Sequence, residues 1–126
     1  MGLDQYAFRV KKSAVISDLE FERRINGADT YEEIYYWRKV PRLEGFMQRL
    51  YEEKGGEDVF NCCFVRLDLG DLKRLKRDVT NGDLPETTGF FFGSHREEDM
   101  QSILDFIKKA QDVILEGDAV YYSSWW

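Results

Sequence analysis

Apolar and polar residues alternate along several parts of this chain in the way that is typical of strands. Residues 5–12 alternate large apolar side chains with polar or small ones, which predicts a half-buried strand. Residues 59–67 are mostly apolar and predict a largely buried strand, and residues 118–126 predict a terminal strand. Residues 34–39 fit either a short helix or a strand, and we expect an extended segment that leads into a helix.

Helical spacing of apolar residues predicts three further elements. The first helix begins at Pro41 and stops at the glycine pair 55–56. The second is capped by Asp68 with Asp71, and the third begins in a capping box that starts at Ser94. The residues predicted to face inward are Leu43, Phe46, Met47 and Leu50 in the first helix, Leu72, Leu75 and Val79 in the second, and Met100, Ile103, Leu104, Ile107, Ala110 and Ile114 in the third.

These elements predict a single small α+β domain over residues 1–126, with a mixed or antiparallel sheet of about four strands covered on one face by about three helices. The chain is 43% hydrophobic and 33% charged, which is typical of a folded domain rather than a disordered segment. No apolar run reaches the roughly 18 residues that a membrane span needs, and no apolar signal region is present. We therefore expect a cytoplasmic protein that does not insert into membranes.

The net charge of −6 argues against broad nucleic-acid binding, which usually requires a basic surface. Acidic residues are interspersed with Lys and Arg, so the charge favours solubility over mimicry of a nucleic acid, which stays an alternative. In that alternative, an acidic nucleic-acid-mimic inhibitor would bind its partner through Glu52, Glu53, Glu97, Glu98 and Asp99.

The adjacent pair Cys62 and Cys63 lies in a predicted strand, where successive side chains point to opposite faces. An intrachain disulfide is therefore not expected, and reduced thiols fit the cytosol. His95 is the only histidine, so Cys and His residues are too few and too poorly spaced for a structural zinc site. We expect no metal and no cofactor.

The segment Trp37-Arg38-Lys39 places two positive charges beside an indole, immediately before the first predicted helix. Arg38 offers a planar fork for a carboxylate or phosphate, and Trp37 offers a stacking face. Cations are locally unfavourable at a helix N-terminus, which favours a partner that pairs with them. The segment is a candidate anion- or base-binding site; in the alternative, Trp37 anchors the helix start and both cations are solvated.

A glycine- and phenylalanine-rich segment runs into the third helix at residues 87–94. Thr87, Thr88 and Ser94 supply hydroxyls, and backbone amides before a helix can hold an anion. The segment lacks the lysine and the spacing of a Walker motif. The alternative is a buried strand in which Ser94 serves only as a helix cap, and the binding hypothesis gains support if Arg38 faces the same cleft.

Asp4 and Trp125 lie near the two ends of the sequence. Asp4 would be a buried acid if the first strand is central, and Arg38 is its natural partner, in an ion pair rather than in proton transfer. The aromatic run at residues 121–126 is expected to be docked, because chain ends are usually frayed and polar. Trp125 in this run either packs in the core or borders a site for a ligand or partner.

Short motifs in consistent order make nearly the whole chain resemble a family of small uncharacterised phage, prophage and bacterial proteins. They are Met-Gly-Leu-Asp-x-Tyr at residues 1–6, Tyr-Trp-Arg-Lys at 36–39, Asn-Cys at 61–62, the Leu-Pro-to-Phe-Phe-Phe-Gly segment at 84–93, and a Ser-Ser-Trp ending at Trp125. One departure is Pro41 with Arg42, where relatives carry a polar or small pair before a helix with a histidine. The resemblance implies a mobile-element setting, in which small accessory proteins often counter host defences, and the family brings no established activity to this chain.

We therefore expect a phage-encoded, non-enzymatic binding protein, a counter-defence factor that binds a host defence protein or sequesters a small anionic, nucleotide-like ligand. The residues expected to form or border its site are Trp37, Arg38, Lys39, Thr87, Thr88, Ser94 and Trp125. An oligomer is compatible with the sequence. The alternative is a small enzyme for a phosphorylated or nucleotide substrate, in which Arg38 and Lys39 hold the anion and Asp4 or His95 moves a proton.

Overall fold

The computed structural model describes residues 2–81 and 97–126, which form an α+β fold as the sequence predicts. The strands are β1 (Asp4–Val10), β2 (Arg24–Ile25), β3 (Ala28–Asp29), β4 (Tyr31–Arg38), β5 (Phe64–Leu67) and β6 (Ala119–Trp125). The helices are α1 (Pro41–Glu53), α2 (Leu69–Asn81) and α3 (Glu97–Leu115), and a 3₁₀ turn covers Lys12–Ala14. Within the described ranges, none of these helices is both long enough and apolar enough to cross a membrane.

The main sheet has the strand order β4-β1-β6-β5, and each neighbouring pair is antiparallel. The last strand in sequence, β6, is central, and its side chains are buried from Ala119 to Ser124. Gly117, with φ of +102°, supplies the left-handed turn between α3 and β6. A strand that is covered on both faces needs no polar alternation, which explains the aromatic composition of this segment.

The three helices pack on one face of the main sheet, which we call the inner face. This face contributes Ala7, Trp37, Val65, Leu67, Val120 and Tyr122 to the main core. The helices contribute the apolar positions that their spacing predicts: Leu43, Phe46, Met47, Leu50, Leu72, Leu75, Val79, Ile103, Ile107 and Ala110 are buried, and Met100, Leu104 and Ile114 are partly buried against them. Pro41 is the first residue of α1, as expected.

Among the described residues, those that cover the opposite, outer face of the sheet lie over only part of its length. Residues 11–30 fold back over the end of β1 that carries Val10. There Phe21 is 6% exposed, and its ring centroid lies 4.8 Å from that of Tyr121 and 4.9 Å from that of Phe64. This segment does not extend to the other end of the face, where Trp125 is 65% exposed.

Strand β5 is shorter than the strand predicted at residues 59–67, because residues 59–63 leave the sheet. Cys62 has φ of 61°, a left-handed conformation that interrupts a strand. The side-chain amide of Asn61 donates to the carbonyl of Trp126 at 2.8 Å and accepts from its N–H at 3.0 Å, in place of a regular ladder. The cysteine pair therefore does not alternate across a strand, and that premise of the sequence argument was wrong.

Candidate binding face of the sheet

Arg38 and Trp125 flank Asp4 at the uncovered end of the outer face. In the sheet register, Asp4 pairs with Arg38 of β4 on one side and with Trp125 of β6 on the other. Directly opposed residues of antiparallel strands point to the same face, so these three side chains form one row. The next row along the same face consists of Tyr36, Tyr6 and Ser123. We call the set Asp4, Tyr6, Tyr36, Arg38 and Trp125 the open face.

The aromatic rings of the open face continue into the buried part of the outer face. The ring of Tyr6 lies 5.3 Å from that of Tyr36 and 6.1 Å from that of Phe8, measured between centroids. Phe8 in turn contacts Phe64 at 6.0 Å, within the cluster covered by residues 11–30. Tyr36 is 45% exposed, so this series of ring contacts begins in the core and ends in solvent. The buried rings therefore hold the half-buried ring of Tyr6 and the exposed ring of Tyr36 in place.

Asp4 is half-buried and accepts a hydrogen bond of 2.5 Å from the hydroxyl of Tyr36. This hydrogen bond, followed by partial burial, raises the pKa of Tyr36. Burial and the nearby Asp4 carboxylate likewise raise the pKa of Tyr6. The sequence suggested Arg38 as an ion-pair partner for a buried Asp4. Within the described part of the chain, Tyr36 is the residue that bonds to the carboxylate, and Arg38 is its cross-strand neighbour.

Trp37 points to the inner face, on the opposite side of β4 from Arg38. It is 4% exposed, and its indole N–H donates to Oγ of Ser102 in α3 at 3.1 Å. Its ring lies 4.6 Å from that of Tyr35 and 4.9 Å from that of Phe106. The alternation of a strand therefore separates the indole from the guanidinium that follows it. Trp37 is a core residue that anchors β4 to α3.

Lys39 closes the strand and turns the chain towards α1. Its φ is 58°, and its N–H donates to the carbonyl of Leu3 at 2.8 Å. Its side chain is exposed beyond the last pair of the sheet. The segment Trp37-Arg38-Lys39 therefore sends its side chains in different directions, and of these three Arg38 alone belongs to the open face.

Three other predicted site residues, Thr87, Thr88 and Ser94, lie outside the described residues, as does His95. Their proposed role in anion binding stays a prediction. The same holds for their approach to Arg38.

A buried polar network beneath the sheet was missed in the sequence. Glu44 of α1 is 4% exposed and accepts hydrogen bonds from the hydroxyls of Tyr122 and Ser124, each at 2.7 Å. Gln5 donates from Nε2 to the Tyr122 hydroxyl and to the Val40 carbonyl, and it accepts from the Val40 N–H, all at 2.9 Å. Burial raises the pKa of Glu44 although these hydroxyl hydrogen bonds oppose the shift. Burial is also the main reason why the pKa of Tyr122 is raised well above its ordinary value.

One sequence signal could have revealed part of this network. Gln5 has the same strand parity as Ala7, and Ser124 has the same parity as Tyr122, so both polar residues occupy inward positions. A polar side chain at an inward position needs a buried partner. Glu44 gave no such signal, because it follows Leu43 at the edge of the apolar stripe of α1.

The chain shows no match to any family model, curated protein or solved structure with which it was compared. Among the described residues, no group of three or more His, Cys, Asp and Glu side chains could hold a metal ion. The function proposed below is therefore supported by the geometry of the open face and by the sequence motifs.

Proposed function

We propose that this protein is a phage-encoded, non-enzymatic binding protein, a counter-defence factor that docks a host protein on its open face. The observation that carries the proposal is the row of Arg38, Asp4 and Trp125, extended by Tyr36, at the uncovered end of the outer face. Tyr, Trp and Arg are the residues that most often dominate the energy of protein interfaces. The phage setting comes from the family resemblance of the sequence motifs.

The chemistry of the open face favours a protein partner over a small anionic ligand. The Asp4 carboxylate lies beside Arg38 in the register and would repel a phosphate that approached the guanidinium. A partner surface that offers both charges and an apolar contact fits the row better.

The competing hypotheses have weaker support from contacts. In the acidic-mimic hypothesis, Glu53 would present a free negative charge, but both of its carboxylate oxygens accept from Arg74 of α2, at 2.7 and 2.8 Å. In the enzyme hypothesis, Asp4 would move a proton, yet its carboxylate already holds the hydroxyl of Tyr36. These contacts oppose both alternatives.

The test compares two open-face variants, Tyr36→Ala and Trp125→Ala, with Leu115→Ala as control. Leu115 is 74% exposed at the end of α3, so its truncation removes a similar apolar surface elsewhere. Each variant is expressed in bacteria that carry a phage-defence system, and the number of phage plaques is counted. Partners that crosslink to the wild type are identified, and their crosslinking to each variant is quantified. We expect each open-face variant to weaken partner binding by about 30-fold, as for an interface hot spot, and to lose phage protection.

Leu115→Ala should retain both properties. Folded open-face variants that protect phage and capture the partner as well as the wild type would overturn the proposal. A nucleotide that raises the melting temperature of the wild type but not of Arg38→Ala would replace it with sequestration. Nucleotide turnover abolished by Asp4→Asn would replace it with the enzyme hypothesis.

A further inference from the structure

Cys62 and Cys63 line a single cleft of about 510 Å³ on the side of β5 that faces the end of α1. These are the only cysteines of the chain, and both are free thiols. Cys62 is exposed and Cys63 is half-buried. Because residues 59–63 leave the sheet, the adjacent cysteines contribute to one cavity instead of two opposite faces.

The backbone that carries this cysteine pair is held on both sides. The N–H of Cys62 donates to the carbonyl of Ser124 at 2.7 Å, which fixes the residue in its left-handed conformation. Asn61 is bound to Trp126 by the two hydrogen bonds described above. Sγ of Cys63 lies 3.4 Å from the carbonyl oxygen of Val59, to which it donates. A ligand that needs both thiols would therefore meet a preorganised pair.

The opposite wall of the cleft is formed where α1 ends. Gly55 has φ of +98°, and Gly56 lies against the ring of Tyr51, so that a Cβ at Gly56 would be 2.2 Å from a ring carbon. Burial, followed by interaction with Cys63, raises the pKa of Tyr51. The phenol of Tyr51 therefore keeps its proton beside Cys63 and can donate a hydrogen bond into the cleft.

The charges around the cleft restrict the kind of ligand. Glu20, Glu57 and Asp58 line it, and together they disfavour an anionic ligand. A structural zinc ion needs four ligands, whereas the described residues provide no group of three or more metal-binding side chains. Thiolates prefer soft, polarisable centres. An uncharged trivalent centre that binds two sulfurs satisfies all three conditions.

We propose that Cys62 and Cys63 form a dithiol site that captures a trivalent, thiophilic arsenical. In the reaction with an arsine oxide, two S–As bonds form and the As=O bond breaks. The two thiol protons leave with the oxygen as water, and neither sulfur nor arsenic changes oxidation state. The site uses no open-face residue, so its test is independent of the docking proposal.

The test uses phenylarsine oxide as the probe and the purified, reduced chain as the target. Mass spectrometry should show a mass gain per chain equal to one phenylarsine oxide less one water. The adduct should resist excess glutathione, a monothiol, and should be removed by dithiothreitol, a dithiol. In Cys62→Ser and Cys63→Ser only one S–As bond can form, so monothiol should remove the adduct about 100-fold faster, as expected when a chelate becomes a single contact.

Circular dichroism of each serine variant shows whether the fold is retained. If a variant fails to fold, the resistance of the wild-type adduct to glutathione is the test. Rapid release of the wild-type adduct by glutathione would overturn the proposal. A second comparison uses the wild type unfolded in urea, where the same two cysteines are adjacent but the cleft is absent. We expect the folded chain to hold the probe about tenfold longer, because its dithiol is preorganised. Equal retention in both states would refute the role of the cleft.

Discussion

The hydroxyl of Tyr122, at the centre of the sheet, donates a hydrogen bond of 2.7 Å to Oε1 of Glu44 in α1. Ser124 donates to the other carboxylate oxygen, and Trp126 is a further side-chain partner. Within the described residues, all three groups that bond to this buried acid are therefore neutral. A carboxylate that is buried without a counter-charge favours its protonated form. The central strand β6 is therefore joined to α1 by hydrogen bonds that depend on pH.

We predict that Glu44 makes the folded protein less stable as pH rises. Burial raises its pKa above the ordinary value of 4.5, so the folded chain binds this proton more tightly than the unfolded chain. The stabilising contribution is complete below that ordinary value and is lost as pH rises through the folded-state pKa. Glu44→Gln should remove this part of the pH dependence and should be more stable than the wild type above the folded-state pKa.

Urea unfolding of the wild type and of Glu44→Gln over a series of pH values measures how their unfolding free energies depend on pH. Glu52→Gln is the matched control, because Glu52 is an exposed residue of the same helix. Its unfolding free energy should follow the wild-type curve. Parallel curves for Glu44→Gln and the wild type would show that the carboxyl group is not perturbed in the folded state.

Gln5 is the second residue of this network whose removal should have a large effect. Its side chain is fully buried and satisfies both the N–H and the carbonyl of Val40, the residue that precedes α1. Gln5→Ala leaves both Val40 groups without their partner, and the Tyr122 hydroxyl keeps only its bond to Glu44. This loss should cost about 3 kcal/mol of unfolding free energy. Gln48→Ala, at an exposed position of α1, should change it by less than about 0.5 kcal/mol. A small effect of Gln5→Ala would indicate that water replaces the amide.

The helices were predictable because their signals are local. Asp68 and Asp71 were expected to cap α2, and their side chains do so reciprocally: each backbone N–H donates to the carboxylate of the other residue, at 3.0 and 2.8 Å. The apolar spacing of α2 then fixes its buried face, with Leu72, Leu75 and Val79 in the core. Both signals lie within a few residues of each other, so no knowledge of the tertiary structure was needed.

The site was less predictable because it depends on pairing between distant segments. Asp4, Arg38 and Trp125 become neighbours only through the antiparallel order of β4, β1 and β6. The segment at 34–39 fitted either a helix or a strand, and only the strand places Trp37 and Arg38 on opposite faces. Likewise, the apolar run at 59–67 gave no indication that the side chain of Asn61 would replace the ladder.

The hydrogen bond between Tyr36 and Asp4 leads to a prediction about the open face. Because the Asp4 carboxylate accepts from the Tyr36 hydroxyl, loss of its charge in Asp4→Asn should lower the pKa of Tyr36 towards the ordinary value of 10.0. Titration of the Tyr36 ring carbon next to oxygen by NMR measures this shift. Asp29→Asn, at an exposed position of β3, should leave the Tyr36 titration unchanged. An unaltered pKa in Asp4→Asn would mean that the bond is absent in solution.

The two tryptophans of the predicted site should respond oppositely to truncation. Trp37 is 4% exposed and packs between Tyr35 and Phe106, so Trp37→Ala should cost about 4 kcal/mol of unfolding free energy through the cavity that it leaves. Trp125 is 65% exposed, and Trp125→Ala should change the unfolding free energy by less than about 0.5 kcal/mol. Urea unfolding measures both values. Trp125→Ala should instead lose capture of the partner while it keeps the fold. Comparable destabilisation by the two substitutions would place Trp125 in the core and remove it from the open face.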